Sequence, residues 1–90
     1  MQKTNMEKEI EIVAFNVATQ EDENALISVD TNGEFIIKFA DESFFRLPGD
    51  MTSKEIKDYL IVHKESNIGQ IPAVDNEKKI IEMKSVLSEL

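Results

Sequence analysis

The feature that most constrains this chain is the turn signal Thr31-Asn32-Gly33, which separates two short apolar segments. A two-residue Asn-Gly loop is a common hairpin connection, but here it would place Ile27 opposite the charged Lys38. A three-residue loop, closed by Gly33 in the left-handed conformation, pairs Ile27 with Ile37 instead. Because a slip of one residue moves every side chain to the other face of a sheet, we predict the longer loop.

A second turn follows the same logic. A loop of Asp41-Glu42-Ser43 pairs Phe39 with Phe45 and continues the apolar face, whereas a two-residue loop would set Ile37 against Arg46. The two hairpins together predict one core face on three strands, made of Ala25, Ile27, Val29, Phe35, Ile37, Phe39, Phe45 and Leu47.

A further strand is predicted over residues 10–18, where apolar residues occupy both alternating positions. Val13, Phe15 and Val17 fit the core face. This assignment leaves Ile10, Ile12 and Ala14 on the opposite face of the strand. Either another segment covers that face, or a bulge near Ile12 changes which side chains face the core.

After Leu47 the apolar pattern changes from the period of a strand to that of a helix. Thr52-Ser53-Lys54-Glu55 is a capping box, in which each end residue accepts a hydrogen bond from the backbone amide of the other. It predicts a helix over residues 52–66. A second helix over residues 76–90 is predicted from apolar residues at intervals of three and four, namely Ile80, Met83, Leu87 and Leu90.

Strands followed by helices predict an α+β fold, a four-stranded antiparallel β-meander with two C-terminal α-helices packed on one face (ββββαα). Ninety residues form one domain, residues 1–90, with the sheet over residues 9–47. Residues 1–6 show no pattern and are expected to be disordered.

The residue types argue against an enzyme. The chain has no cysteine, no tryptophan, one histidine and one arginine, so thiolate chemistry and the usual His/Cys zinc sites lack their parts. Ser53 or Ser66 with His63 lacks the nucleophile turn that a catalytic triad needs. The acidic loop at Glu21-Asp22-Glu23 lacks the ligand spacing of a calcium-binding EF-hand. We therefore expect no catalysis, no cofactor and no metal.

The charge is strongly acidic and unevenly distributed. The net charge is −8, and residues 1–50 hold eleven acidic against four basic side chains. Such a field disfavours direct nucleic-acid binding and favours basic partners. One hypothesis is therefore an acidic inhibitor of the phage type, which imitates nucleic acid and binds a basic nucleic-acid-handling protein. Nine lysines against one arginine are typical of AT-rich coding sequence and favour a bacterial or phage source.

The leading hypothesis concerns the second face of the predicted sheet. In the registers above this face carries Leu26, Ile36 and Phe44, joined by Ile12, among charged neighbours. An apolar patch rimmed by charge is typical of an interaction surface, unless the N-terminal segment or the second helix covers it. No secretory or membrane-spanning segment is read in the chain. The sequence thus predicts a small, non-catalytic cytoplasmic protein-interaction or regulatory module, whose partner is another protein or a second copy in a homodimer.

Overall fold

The computed structural model describes residues 8–63, 67–68, 71–72 and 75–89. The strands are β1 (Ile10–Asn16), β2 (Glu21–Val29), β3 (Glu34–Phe39), β4 (Phe44–Pro48), β5 (Asn67–Ile68) and β6 (Ile71–Pro72), and the helices are α1 (Ser53–Tyr59) and α2 (Asn76–Leu87). The first four strands form one antiparallel sheet in sequential order, while β5 and β6 pair with each other. The ββββαα α+β fold is confirmed, and the disorder predicted for residues 1–6 lies outside the described residues.

The core lies between the helices and one face of the four-stranded sheet. Seven of the eight residues predicted for the core face are buried, and Phe45 is half-buried against the same cluster. The helices supply Ile56, Ile80, Met83 and Val86, and Leu60, the C-cap of α1, joins them. Burying a large apolar side chain contributes about 1.5–3 kcal/mol, so this layer is what holds the helices on the sheet.

The turn between β2 and β3 has the predicted geometry. Ile27 pairs with Ile37 across the two strands, and Gly33 has a φ of 82°. The Asp30 carboxylate accepts hydrogen bonds from the backbone amides of Asn32 and Glu34, at 3.0 and 3.2 Å. The left-handed glycine and the aspartate that binds the turn backbone together fix the register of this hairpin.

The predicted register between β3 and β4 is wrong by two residues. Phe45 lies opposite Ile37 rather than Phe39, because the loop is 40–42 and Glu42, with a φ of 76°, takes the left-handed position. The Phe39 amide donates to the Ser43 carbonyl at 2.8 Å, and the Glu42 amide donates to the Phe39 carbonyl at 3.0 Å. A shift of two residues keeps every side chain on its face, so the apolar pattern could not reveal it.

The predicted facing of β1 is also wrong. Ile10 pairs with Ile27 and Ile12 pairs with Ala25, so these isoleucines lie on the core face. Val13 therefore lies on the opposite face, and Val17 belongs to the β1–β2 turn and is 69% exposed. One register extends along all of β1, so no bulge reverses its phase.

The capping box begins α1 as predicted, but the helix is shorter than predicted. The Glu55 amide donates to the Thr52 hydroxyl at 3.1 Å, and the Thr52 amide donates to the Glu55 carboxylate at 3.0 Å. The helix ends at Tyr59, and Ile61 has a φ of 57°, which reverses the chain. Of the predicted extension to residue 66, residues 64–66 lie outside the described residues.

The second helix begins where it was predicted to begin. α2 starts at Asn76 and buries Ile80, Met83 and Val86. The Lys84 ammonium donates to the Met51 carbonyl at 2.7 Å, which ties α2 to the segment that precedes α1. The predicted contribution of Leu90 lies outside the described residues.

Candidate protein-interaction surface

The face of the sheet opposite the helices, here called the outer face, is covered along β1. Val13 points to this face and is 0% exposed. The Asp22 carboxylate, on the same face, accepts hydrogen bonds from the His63 backbone amide at 3.1 Å and pairs with His63 Nδ1 at 2.7 Å. The hairpin lies nearby, with β6 against β1 and β5 against β2. The described parts of the chain between the two helices, His63 with β5 and β6, thus lie against β1 and β2 and account for the buried outer face of β1.

The free edge of β1 is closed by hydrogen bonds. The Val13 amide donates to Asn76 Oδ1 at 3.1 Å, and Asn76 Nδ2 donates to the Val13 carbonyl at 2.6 Å. The Phe15 amide donates to the Leu60 carbonyl at 2.9 Å. A sheet edge normally presents such groups to other chains, so this edge is not available for pairing.

The outer face of β2, β3 and β4 is different. Here the cross-strand pairs form two rows, one running Leu26–Lys38–Phe44 and the other Ser28–Ile36–Arg46. Leu26 and Ile36 are half-buried, and Phe44 is 53% exposed. We call these six residues the open half: Leu26, Ser28, Ile36, Lys38, Phe44 and Arg46.

The assignment of Ile12 to this surface was wrong. Ile12 is 0% exposed and belongs to the core cluster on the helix-covered face, because β1 has the opposite parity to the one predicted. The structure does bring Leu26, Ile36 and Phe44 together on one face, as predicted. Lys38 and Arg46 lie between them in the two rows.

A network of charges fixes the end of the open half at β4. The Arg46 guanidinium lies 5.6 Å from the centre of the Phe44 ring, a cation–π distance. The same guanidinium forms a salt bridge with Asp30 and approaches the Glu34 carboxylate at 3.8 Å. The Arg46 guanidinium thus lies over the Phe44 ring and is paired with Asp30 at this end of the open half.

The pKa of Asp30 reflects this network. Desolvation raises the pKa of its carboxyl, but hydrogen bonds from the Glu34 and Asn32 amides lower it. The hydrogen bond and the positive charge of Arg46 lower the pKa further, and the net value lies below the usual one. Asp30 is thus held as the anion that anchors Arg46.

A shallow depression of about 200 Å³ lies beside the open half. Its lining includes the apolar residues Ala25 and Leu26 and the oppositely charged residues Glu11 and Lys38. An apolar floor between opposite charges suits one apolar side chain of a protein partner. It is small compared with the pockets of about 300–1,000 Å³ that hold most small-molecule ligands.

The residues considered for chemistry are separated in the structure. Asp22 pairs with His63 on the outer face, whereas Glu23 accepts hydrogen bonds from Asn16 and Thr19 on the other side of the strand. Among the described residues, no three His, Asp or Glu side chains are grouped to hold a metal ion. Within the same ranges, no helix has both the length and the apolar character needed to cross a bilayer.

The role of Asn76 was missed from the sequence. An asparagine before a predicted helix is typical of an N-cap, but Asp75 occupies that position and Asn76 reaches β1 instead. Its partner Val13 is 63 residues away in the chain, so no local signal could have indicated this contact.

Comparisons of the chain with protein-family models, with curated proteins and with solved structures found no match. The class of the protein is therefore defined by its own fold and surface.

Proposed function

We propose that this protein is a small, non-catalytic cytoplasmic interaction module that binds a protein partner through the open half. The observation that carries the proposal is the exposure of Phe44, 53% of whose surface is open to solvent, on the face that also carries Leu26 and Ile36. Large apolar side chains among charged neighbours on one face are typical of an interaction surface.

The composition of the open half favours a protein as the partner. Aromatic and arginine side chains are enriched among the residues that dominate binding energy at protein interfaces, and here Arg46 is already stacked on Phe44. Because Asp30 holds the guanidinium in place, little side-chain freedom is lost on binding. Glu11 and Lys38 contribute one charge of each sign to the lining of the depression, and charges of both signs can orient a partner.

The test compares two substitutions on this surface with one elsewhere. Phe44→Lys and Leu26→Lys each place a charge on the open half, and we expect both to abolish capture of the partner from the source cell while the protein stays folded. Ile81→Lys is the matched control, because Ile81 on α2 has the same exposed fraction, 53%. We expect it to leave binding unchanged.

Two results would contradict the proposal. One is that Phe44→Lys and Leu26→Lys both leave the oligomeric state and the set of captured proteins as in the wild type. The other is that Ile81→Lys reduces capture as much as Phe44→Lys does, since the loss would then follow from any added surface charge.

A further inference from the structure

The free edge of β4 carries backbone groups with a definite direction. The Phe39 amide donates to the Ser43 carbonyl, and hydrogen-bonded pairs alternate along an antiparallel ladder. Phe45 and Leu47 therefore direct their amides and carbonyls toward β3, while Phe44 and Arg46 direct theirs away from the sheet. Pro48, which has no amide hydrogen, falls in the outward phase, where proline is tolerated in an edge strand.

The two edges of the sheet differ in the hydrogen bonding of their outward backbone groups. At β1 the outward amides and carbonyl of Val13 and Phe15 are bonded to Asn76 and Leu60. At β4 no backbone or side-chain group of the described residues bonds to the outward groups of Phe44 and Arg46. Within the described residues, the edge at β1 is thus closed by Asn76 and by Leu60, and the edge at β4 is left unbonded.

We propose that a second copy of this chain binds at the β4 edge, strand antiparallel to strand, to form a two-fold dimer with a continuous eight-stranded sheet. In the register that we infer, Phe45 lies at the two-fold axis and Phe44 of each copy pairs with Arg46 of the other. This register forms four backbone hydrogen bonds, from the outward amides of Phe44 and Arg46 in both copies.

Charge disfavours one neighbouring register, and the turn before β4 disfavours the other. A shift of one residue toward Pro48 would set Arg46 opposite its own copy, and like charges directly opposite are destabilising. A shift of one residue the other way would pair Phe44 with itself and bring Arg46 opposite Glu42, which is held in the left-handed turn. In the inferred register each Arg46 meets a Phe44 ring, which repeats between copies the contact of 5.6 Å within one copy.

Self-association fits this edge better than addition of an unrelated strand. The outward segment is short, since β4 spans five residues and ends at Pro48, and a two-fold axis uses its few donors and acceptors twice. The contacts that it forms, Phe44 with Arg46, are complementary to themselves. The dimer concerns the edge of the sheet and does not require that the open half bind any other protein, so it goes beyond the function proposed above.

The experiment is sedimentation velocity over a concentration series, with two variants of one residue. Arg46→Ala removes the side chain but keeps the outward amide, whereas Arg46→Pro removes the amide as well and leaves the bonds to β3 intact. The dimer loses two hydrogen bonds in Arg46→Pro relative to Arg46→Ala, so we expect dimerisation weaker by about tenfold or more. Circular dichroism checks that both variants are folded.

A wild type that stays monomeric up to about millimolar concentration, where even weak association should be visible, overturns the proposal. So does an Arg46→Pro variant that dimerises as tightly as Arg46→Ala. If Arg46→Pro fails to fold, the concentration series of the wild-type protein tests the proposal without it. In a mixture of isotopically labelled and unlabelled protein, an intermolecular contact between the Phe45 Hα atoms supports the register, and its absence from a dimer overturns it.

These outcomes are distinct from those that test the open half. If the protein is monomeric and Leu26→Lys abolishes capture of a partner, the proposed function is supported and the dimer is contradicted. If the protein is a dimer that Arg46→Pro weakens and it captures no other protein, only the edge pairing is supported.

Discussion

Asn76 shows how much one side chain contributes to this fold. Its amide satisfies both the donor and the acceptor of Val13 in a buried position, with the Asn76 side chain 0% exposed. The same residue is the first of α2. One asparagine therefore closes the edge of the sheet and fixes where the second helix starts.

We expect Asn76→Ala to destabilise the protein by about 1–3 kcal/mol, because it leaves buried polar groups of Val13 without partners. Urea unfolding measures the loss, and Asn24→Ala, at an exposed position of β2, is the control that should cost little. Equal stability of the two variants would show that water or a rearranged helix replaces the asparagine.

Gly49 and Gly33 are both required, for different reasons. A Cβ at Gly49 would lie 2.0 Å from the Gly33 carbonyl oxygen, whereas a Cβ at Gly33 meets nothing within 4 Å and suffers only from the φ of 82°. Gly33→Ala should therefore cost about 1–2 kcal/mol of left-handed strain. Gly49→Ala should cost more in the same unfolding assay, because two turns must separate, and the reverse order would contradict the close approach.

The lowered pKa of Asp30 makes part of the stability depend on pH. Since the carboxyl has a lower pKa in the folded state, its contribution is present above the ordinary pKa of about 3.9 and is lost as the pH falls through the folded value. Asp30→Asn should thus be less stable than the wild type at pH 7, and the difference should shrink on acidification. A difference that does not shrink as the pH falls below the ordinary pKa of about 3.9 would show that the carboxylate charge is not involved.

At the scale of elements, the β2–β3 turn and the β3–β4 turn are built alike. In each, a residue before the loop accepts from the amide of the left-handed residue three positions later, at 3.1 Å in the first turn and 3.0 Å in the second. The left-handed position holds Gly33 in one turn and Glu42 in the other. The second turn therefore carries a strain that the first does not.

Glu42→Gly should stabilise the protein by about 0.5–1 kcal/mol. Glycine removes the Cβ clash at positive φ, and the greater conformational entropy of glycine in the unfolded chain offsets only part of that gain. Ser43→Gly is the discriminating control. With the loop at 40–42, Ser43→Gly removes the hydrogen bond from the Ser43 hydroxyl to the Asp41 carboxylate, keeps the bond from the backbone amide, and destabilises the protein. With a loop at 41–43, Ser43→Gly would be the stabilising change. Thermal unfolding of the pair checks the register of β4.

The sequence could predict which side chains of a strand face the core where only one side of the strand is buried. It could not do so where both sides are buried. In β2 and β3 polar and apolar residues alternate, so the inward face of Ile27 and Ile37 was found correctly. In β1 both faces are covered, and the apolar residues at both parities gave no preference between Ile12 and Val13. The register of β4 was missed because Glu42 carries no turn signal.

The length of α1 was missed for a similar reason. The local pattern continues past Tyr59, but the Leu60 carbonyl is taken by the Phe15 amide of β1, which is far away in the sequence. Of the candidate surface, Leu26, Ile36 and Phe44 were found from strand parity. The position of Arg46 on the Phe44 ring depends on Asp30, in a different strand connection, and could only be seen in the structure.

At the scale of the whole molecule, the sheet is closed on one side and open on the other. Along β1 the outer face is covered by described residues between the helices, including His63. The edge of β1 is closed by Asn76 and Leu60. On the outer face Phe44 and Arg46 of β4 are exposed, and no group among the described residues bonds to the outward backbone of that strand. Open backbone groups and the exposed Phe44 side chain occur together at β4, so both proposed contacts share this side of the protein.

The salt dependence of binding distinguishes self-association of this protein, whose net charge is −8, from its binding to a basic partner. Two identical copies repel each other, and salt screens that repulsion, so the dimer should tighten between about 0.02 and 0.5 M salt. Binding of a basic partner by an acidic imitation of nucleic acid should weaken over the same range. Sedimentation at several salt concentrations distinguishes them, and a dimer that dissociates as salt is added would contradict edge pairing.

The most direct test of this asymmetry is amide hydrogen exchange, residue by residue, in a solution dilute enough to contain only monomer. We predict slow exchange at Val13 and Phe15, whose outward amides are bonded, and fast exchange at Phe44 and Arg46, whose outward amides face solvent. Exchange at Phe44 and Arg46 as slow as at Val13 would contradict the account, because the edge of β4 would then already be covered within a single chain.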